Sequence, residues 1–227
     1  MLIAGFPAGS FQANCYVIGA EPGGEALVVD PGQDAWGHLS NVLDEHRLRP
    51  AAVLLTHGHL DHTASAARVC DQFGIPAYLH SADDDMLDDP MASLTPQLRG
   101  ALRGLDLSGL RPTEVRSLTG GTELQLAGLT IGVDSTPGHT GGSVVYRFAG
   151  EEGRPEVLLT GDTLFAGSVG RTDLPGGSAD ELLASIARRL LTRADDAVVL
   201  PGHGAASTIG AERCGNPFLA GLVPSQN

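Results

Sequence analysis

The sequence predicts an α/β protein in which two strand-rich halves each run into a helix, a duplicated αβ/βα architecture. Three observations predict it. The 227 residues are 42% hydrophobic and only 18% charged, against about 25% charged in ordinary soluble proteins, so the chain can bury a sizeable core. It carries 31 Gly and 14 Pro, which implies many tight loops between short elements. The halves also rhyme: a pair of strands, then a strand ending in a polar His or Asp cluster, then a helix.

Strands are expected at 2–6, 14–19, 26–30, 51–56 and 77–80 in the first half, and at 123–126, 129–135, 142–148, 157–160 and 197–201 in the second. Each is a β-branched or apolar run closed by Gly, Pro or Asp. Helices are expected at 37–46, 62–73 and 179–191. The second places Ala66, Val69, Cys70 and Phe73 on one face, and the third does so with Leu182, Leu183, Ile186 and Leu190. The stretch between His80 and Leu118 reads as short helices over one sheet edge. Its run Asp83 to Asp85 with Asp88 and Asp89 reads as a solvated helix start rather than a cation site, because Asp favours first turns.

The length fits one domain, or two small ones at most. With 27 acidic and 14 basic residues the formal charge is −13, which repels phosphate backbones, and the scattered arginines form no compensating stripe. No nucleic-acid partner is expected. All the basic residues are Arg, so Schiff-base chemistry and a phosphate-loop lysine are excluded. The longest apolar run, 51–55, is far short of the ~20 residues of a membrane span, and residues 1–7 lack the basic flank of a signal peptide. The expectation is a cytoplasmic protein without a membrane partner. Cys15, Cys70 and Cys214 then read as reduced thiols, each buried as a small apolar residue.

Five of the eight histidines stand directly after predicted strands. Thr56-His57-Gly58-His59-Leu60-Asp61-His62 packs three imidazoles and a carboxylate into six residues. Gly58 allows a tight turn, so His57 and His59 can converge on one ion, while Asp61 and His62 open the next helix and could face a second. His139, Asp162 and His203 each follow a strand beside Gly or Pro, in Thr136-Pro137-Gly138-His139-Thr140, Thr160-Gly161-Asp162-Thr163 and Pro201-Gly202-His203-Gly204. A four-coordinate zinc site takes three or four ligands, so seven candidates suit two ions sharing a bridge. Asp162 is the natural bridge, since a carboxylate offers two oxygens and an imidazole one lone pair. His38, His46 and His80 lack such context and read as ordinary surface or sheet-end residues.

These residues resemble the metallo-β-lactamase superfamily, whose mark is a THxHxDH loop followed by a distant His, Asp and His. The resemblance extends through Val28-Val29-Asp30-Pro31-Gly32, Thr136 to Ser143 and Gly161 to Gly177. It implies a four-layer αββα sandwich with a two-metal site at one edge, as a single domain spanning 1–227. It also implies that His57, His59 and His139 bind one ion and Asp61, His62 and His203 the other, with Asp162 between them and Asp30 supporting the loops. The stretch from Gly161 to Leu174, with its Gly-Arg-Thr-Asp, is similar to the glyoxalase II group and argues against true β-lactamases. Long glyoxalase II enzymes add a helical C-terminal domain. Here 24 residues follow His203, and 208–213 and 216–218 resemble the short bacterial relatives.

The resemblance implies a thioester hydrolase acting on S-lactoylglutathione or a related hydroxyacyl thioester. The cofactors would be two divalent ions, zinc first, with iron or manganese as alternatives. Two ions sharing a water lower its pKa towards ~7, and Asp61 can orient the resulting hydroxide as the catalytic carboxylate. Arg171 is the candidate for a substrate carboxylate, with a salt bridge to Asp173 or a packing role as its alternative. The runner-up is an iron persulfide dioxygenase using His57, His139 and Asp162. A non-catalytic binding scaffold is the reading from another class. Oligomeric state is not legible.

Overall fold

A computed structural model describes residues 1–91, 93–95, 99–100, 107–150 and 153–222. The first half forms β1 (Leu2–Ala8), β2 (Ala13–Gly19), β3 (Glu25–Val29), β4 (Arg49–Leu54), β5 (Ala77–His80) and β6 (Val115–Leu118). They make one six-stranded sheet in that order, antiparallel as far as β3 and parallel from β3 to β6. The second half forms β7 (Thr122–Leu126), β8 (Leu129–Ser135), β9 (Val144–Phe148), β10 (Val157–Gly161), the small hairpin β11 (Leu164–Phe165) and β12 (Ser168–Val169), then β13 (Val198–Pro201) and β14 (Ser207–Thr208). Its sheet runs β14-β13-β10-β9-β8-β7, with β10 and β13 parallel.

Alternation along the strands assembles the layers. Tyr16, Ile18, Leu27, Val29, Ala52 and Leu54 point between the sheets and meet Ile131, Val133, Val144, Tyr146, Val157 and Leu159. The residues between them in sequence, Val17, Val28 and Val53, face the other way and pack under Leu39, Leu43, Val69 and Cys70 of the helices Trp36–His46 and Ala66–Phe73. Val145, Leu158 and Val199 likewise pack under Leu182, Ile186 and Leu190. Strands apolar on both faces are what a sheet covered on both sides requires. The result is the expected αββα sandwich. No helix among the described residues is long and apolar enough to cross a membrane.

The structure differs from the sequence reading at several points. The helix expected at 62–73 is two pieces, Leu60–Thr63 and Ala66–Phe73. They part where Ser65 gives its backbone N–H to Pro31 O (2.9 Å) and its hydroxyl to Gly32 O (2.6 Å), docking the 30–32 loop instead of continuing the helix. Phe73, read as a core position, is 40% exposed. β6, β11, β12, β14 and the helix Ile209–Gly215 were not legible, being short or sustained by pairing and packing rather than by periodicity. Cys15 and Cys70 are buried as expected, but Cys214 is exposed near the end of Ile209–Gly215, so its burial is corrected. Asp83 is also corrected: it is fully buried rather than a solvated helix start. Short helices do follow β5, at Ser81–Asp83 and Asp85–Asp88; residues 92, 96–98 and 101–106 of that stretch lie outside the described residues.

The strands that end in the polar clusters, β4, β8, β10 and β13, bring those clusters to one edge of the sandwich. Bonds across the sheets close that edge. Thr56 O accepts from Val144 N (2.8 Å), Leu55 O from the Tyr146 hydroxyl (2.8 Å), and Gly202 O from Asn14 N (2.7 Å).

Candidate metal centre

Asp30 follows β3 at φ 48°, a left-handed conformation uncommon outside glycine. From there its carboxylate, 2% exposed as a residue, takes three hydrogen bonds. Oδ1 accepts from Thr56 N (2.8 Å), and Oδ2 accepts from Thr56 Oγ1 (2.6 Å) and from His62 Nδ1 (3.0 Å). This fixes protons on two rings. Thr56 spends its only hydroxyl proton on Asp30, so towards His57 Nδ1, 3.0 Å away, it is an acceptor. His57 therefore carries its proton on Nδ1 and has a bare Nε2, which is buried without a hydrogen-bond partner. His62 gives Nδ1–H to Asp30 and turns Nε2 to the cluster. His139 is set the same way, since its Nδ1 lies 2.8 Å from the Arg171 carbonyl, which can only accept.

The seven predicted residues come together in the structure. Single donor atoms of His57, His59 and His139 form one close group, and those of Asp61, His62 and His203 another; His57, His62 and Asp162 form a third that joins them. His59 Nδ1 is 2.9 Å from His139 Nε2, and His62 Nε2 is 3.3 Å from His203 Nε2. Asp162 reaches both sides, with Oδ1 3.4 Å from His62 Nε2 and Oδ2 3.6 Å from both His139 Nε2 and His203 Nε2. Its Oδ1 is buried without a hydrogen-bond partner, as is His59 Nε2. Bare lone pairs converging in a buried space are costly unless a cation or proton satisfies them, so this donor set fits divalent ions of the kind bound by imidazole and carboxylate. His38, His46 and His80 belong to none of the groups.

Electrostatics separates the two groups. Burial, reinforced by the neighbouring rings, pushes His57 well below its ordinary pKa, and burial with His139 brings His59 down to about 3. These are neutral donors. Burial also opposes charge on His62, but Asp162, Asp61 and Asp30 outweigh it and lift that ring to about 10. Burial would raise Asp61, yet His62 and His203 hold its carboxyl well below the usual range. The second group is thus a place where carboxylates favour positive charge.

The sequence pattern of the metallo-beta-lactamase superfamily matches residues 8–203. The chain belongs to that superfamily. It is 34% identical to the hydroxyacylglutathione hydrolase GloC of Haemophilus influenzae (strain ATCC 51907 / DSM 11121 / KW20 / Rd) over 94% of this chain and 95% of that one. Among solved structures, the BLEG-1 B3 metallo-beta-lactamase superposes with a TM-score of 0.80 at 40% identity, covering 97% of this chain and 100% of its own. TTHA1623 in a di-iron-bound form gives 0.79 at 34% identity, covering 95% of this chain and 100% of that one.

The superfamily cluster leaves no room for a side chain at Gly202. A Cβ on Gly202 would meet Asp162 Oδ1 and lie 2.7 Å from His62 Cε1. Gly202→Ala should therefore displace two of the candidate ligands and cost about 1–3 kcal/mol through overpacking. Thermal unfolding together with metal analysis checks this; a variant with unchanged midpoint and metal content would show that the loop yields freely.

The metallo-beta-lactamase edge opens into a cavity of about 390 Å³ floored by His59, Asp61, His139, Asp162 and His203. Its walls are Phe11, Leu60, Leu94, Phe165, Val169 and Leu174, with Arg171 as the basic group. Sequence reasoning found none of these apolar walls, because single apolar residues in turns or in two- to four-residue elements carry no pattern. Arg171 pairs with Asp173 through Nε (2.7 Å) and Nη2 (2.8 Å), and both side chains are more than half exposed. The salt bridge weighed for Arg171 is present, the residue also lines the cavity, and its carbonyl holds His139.

Proposed function

We propose that this chain is a two-metal thioester hydrolase of the glyoxalase II type, cleaving S-lactoylglutathione or a related hydroxyacyl thioester to hydroxy acid and thiol. The observation that carries the reading is the pair of three-donor groups joined through Asp162 at the floor of a largely apolar cavity. The likeness to GloC supports the substrate class. Zinc leads as the metal, and the di-iron neighbour keeps iron open. Bound there, divalent ions supply an activated water at neutral pH and polarise the substrate carbonyl.

The chain's own residues do the rest. His57, His59, His139, Asp61, His62, His203 and Asp162 hold the ions. Asp61 faces the cavity and orients the attacking water. Phe11, Phe165, Val169 and Leu174 cover the acyl group and exclude bulk water. A thiolate leaves readily, its conjugate acid having a pKa near ~8.5, so no strong general acid is needed. Among the described residues, the carboxyl groups lining the cavity are those of Asp61 and Asp162, both engaged in the cluster, an arrangement that suits thioesters better than amides. Arg171 can exchange Asp173 for a substrate carboxylate cheaply, because an exposed ion pair contributes only about 0–1 kcal/mol.

The test is direct. Purified protein should contain two metal ions per chain, falling to one in His203→Ala. It should release thiol from a lactoyl thioester without taking up oxygen. Oxygen uptake with a glutathione persulfide, or β-lactam turnover faster than thioester turnover, would reverse the reading.

A further inference from the structure

Asp83 is wholly buried on the turn Ser81–Asp83, an element that supplies none of the seven candidate ligands. Its carboxylate touches both loops that supply the three-histidine group. Oδ2 accepts from Gly58 N (2.9 Å), the residue between His57 and His59, and from Thr140 Oγ1 (2.7 Å), the neighbour of His139. Oδ1 accepts from Gly142 N (2.7 Å) on the His139 loop. The approach depends on glycine, since a Cβ at Gly142 would lie 2.5 Å from Asp83 Cγ. Thr140 gives its proton to Asp83, so it can only accept from Ser143 Oγ, 2.8 Å away. No described ion pair includes Asp83; three hydrogen bonds, rather than a cation, compensate the buried charge.

Resting on the metal reading above, we infer that Asp83 is a positioning residue that sets the metal affinity of the His57, His59 and His139 group by clamping its two loops together. The carboxylate is suited to this because all three of its partners can donate. An amide cannot replace it without conflict. Whichever way the amide of an Asp83→Asn variant were turned, its NH₂ would face a backbone N–H, that of Gly58 or that of Gly142, and neither can reverse its role. A loop released at Gly58 shifts His57 and His59 together, and one released at Gly142 shifts His139.

The experiment isolates one group. In a His203→Ala background, metal-stripped protein is titrated with Co²⁺ against a chromophoric chelator, following both affinity and the visible Co²⁺ absorption. Asp83→Asn should weaken Co²⁺ binding by about 10–100-fold, the usual effect of losing a residue that orients metal ligands, and should alter the absorption band. Thr140→Val removes one of the three bonds and should act in the same direction by a smaller factor. Asp84→Asn, on the half-buried Arg111 pair next door, should change neither. Circular dichroism confirms folding, and if Asp83→Asn fails to fold, Thr140→Val carries the test. Unchanged affinity and spectrum in a folded variant would overturn the inference alone. Failure of the His203→Ala parent to bind Co²⁺ would overturn the metal reading and this inference with it.

Discussion

Asp162→Ala is expected to empty both metal groups and lower thioester hydrolysis by at least ~10³-fold. One carboxylate faces both groups: Oδ1 lies 3.4 Å from His62 Nε2, and Oδ2 lies 3.6 Å from His139 Nε2 and from His203 Nε2. Removing it would take a ligand from each of the two proposed ions and leave imidazole lone pairs facing one another. Two metal sites stabilise developing charge by several kcal/mol, and about 4 kcal/mol corresponds to the stated factor. Asp61→Ala gives the contrast, since Asp61 reaches His62 (3.6 Å) and His203 (3.2 Å) but belongs to neither group containing His57. It should lose about one ion per chain and slow turnover while the three-histidine group stays filled. Mass spectrometry for metal content and kcat/KM on a lactoyl thioester decide the matter. Equal metal loss in the two variants would show that the division into two groups is wrong.

The second large effect belongs to a residue outside the candidate ligand groups. Asp30→Asn changes one atom and should move protons on two ligands. The favourable orientation keeps Oδ1 on Thr56 N–H and puts NH₂ where Oδ2 accepted from Thr56 Oγ1 and His62 Nδ1. The amide now donates to both. His62 must accept at Nδ1 and carry its proton on Nε2, the atom turned towards Asp61, Asp162 and His203. Thr56, no longer bound to give its proton to Asp30, can turn it to His57 Nδ1, which transfers that ring's proton to Nε2. Two lone pairs aimed at the cluster are lost without loss of a partner. The fold should survive, while metal affinity and hydrolysis fall by about 10–100-fold or more. Comparing metal affinity with the unfolding midpoint separates this from simple destabilisation; a large fall in midpoint with normal affinity would refute it.

The sequence by itself determined the residue types and their local geometry. Continuous apolar runs closed by Gly, Pro or Asp specified the strands, and the Gly- and Pro-flanked His and Asp clusters marked the strand ends that carry chemistry. His57, His59, Asp61 and His62 were legible because they share one short loop, and His139, Asp162 and His203 because each stands in the same kind of loop after a strand. Tertiary structure decided the rest, because it depends on register and packing between residues far apart in sequence. It brought His139 within 2.9 Å of His59 and made Asp162 reach both groups. It also recruited the Arg171 carbonyl and Asp30 to fix ring protons. Asp83 shows the limit most clearly. In sequence it is one of three consecutive Asp, indistinguishable from Asp84 and Asp85. Only the packing of its turn against two loops, with Gly142 leaving space for the carboxylate, separates the buried acceptor of three hydrogen bonds from half-buried Asp84 and exposed Asp85.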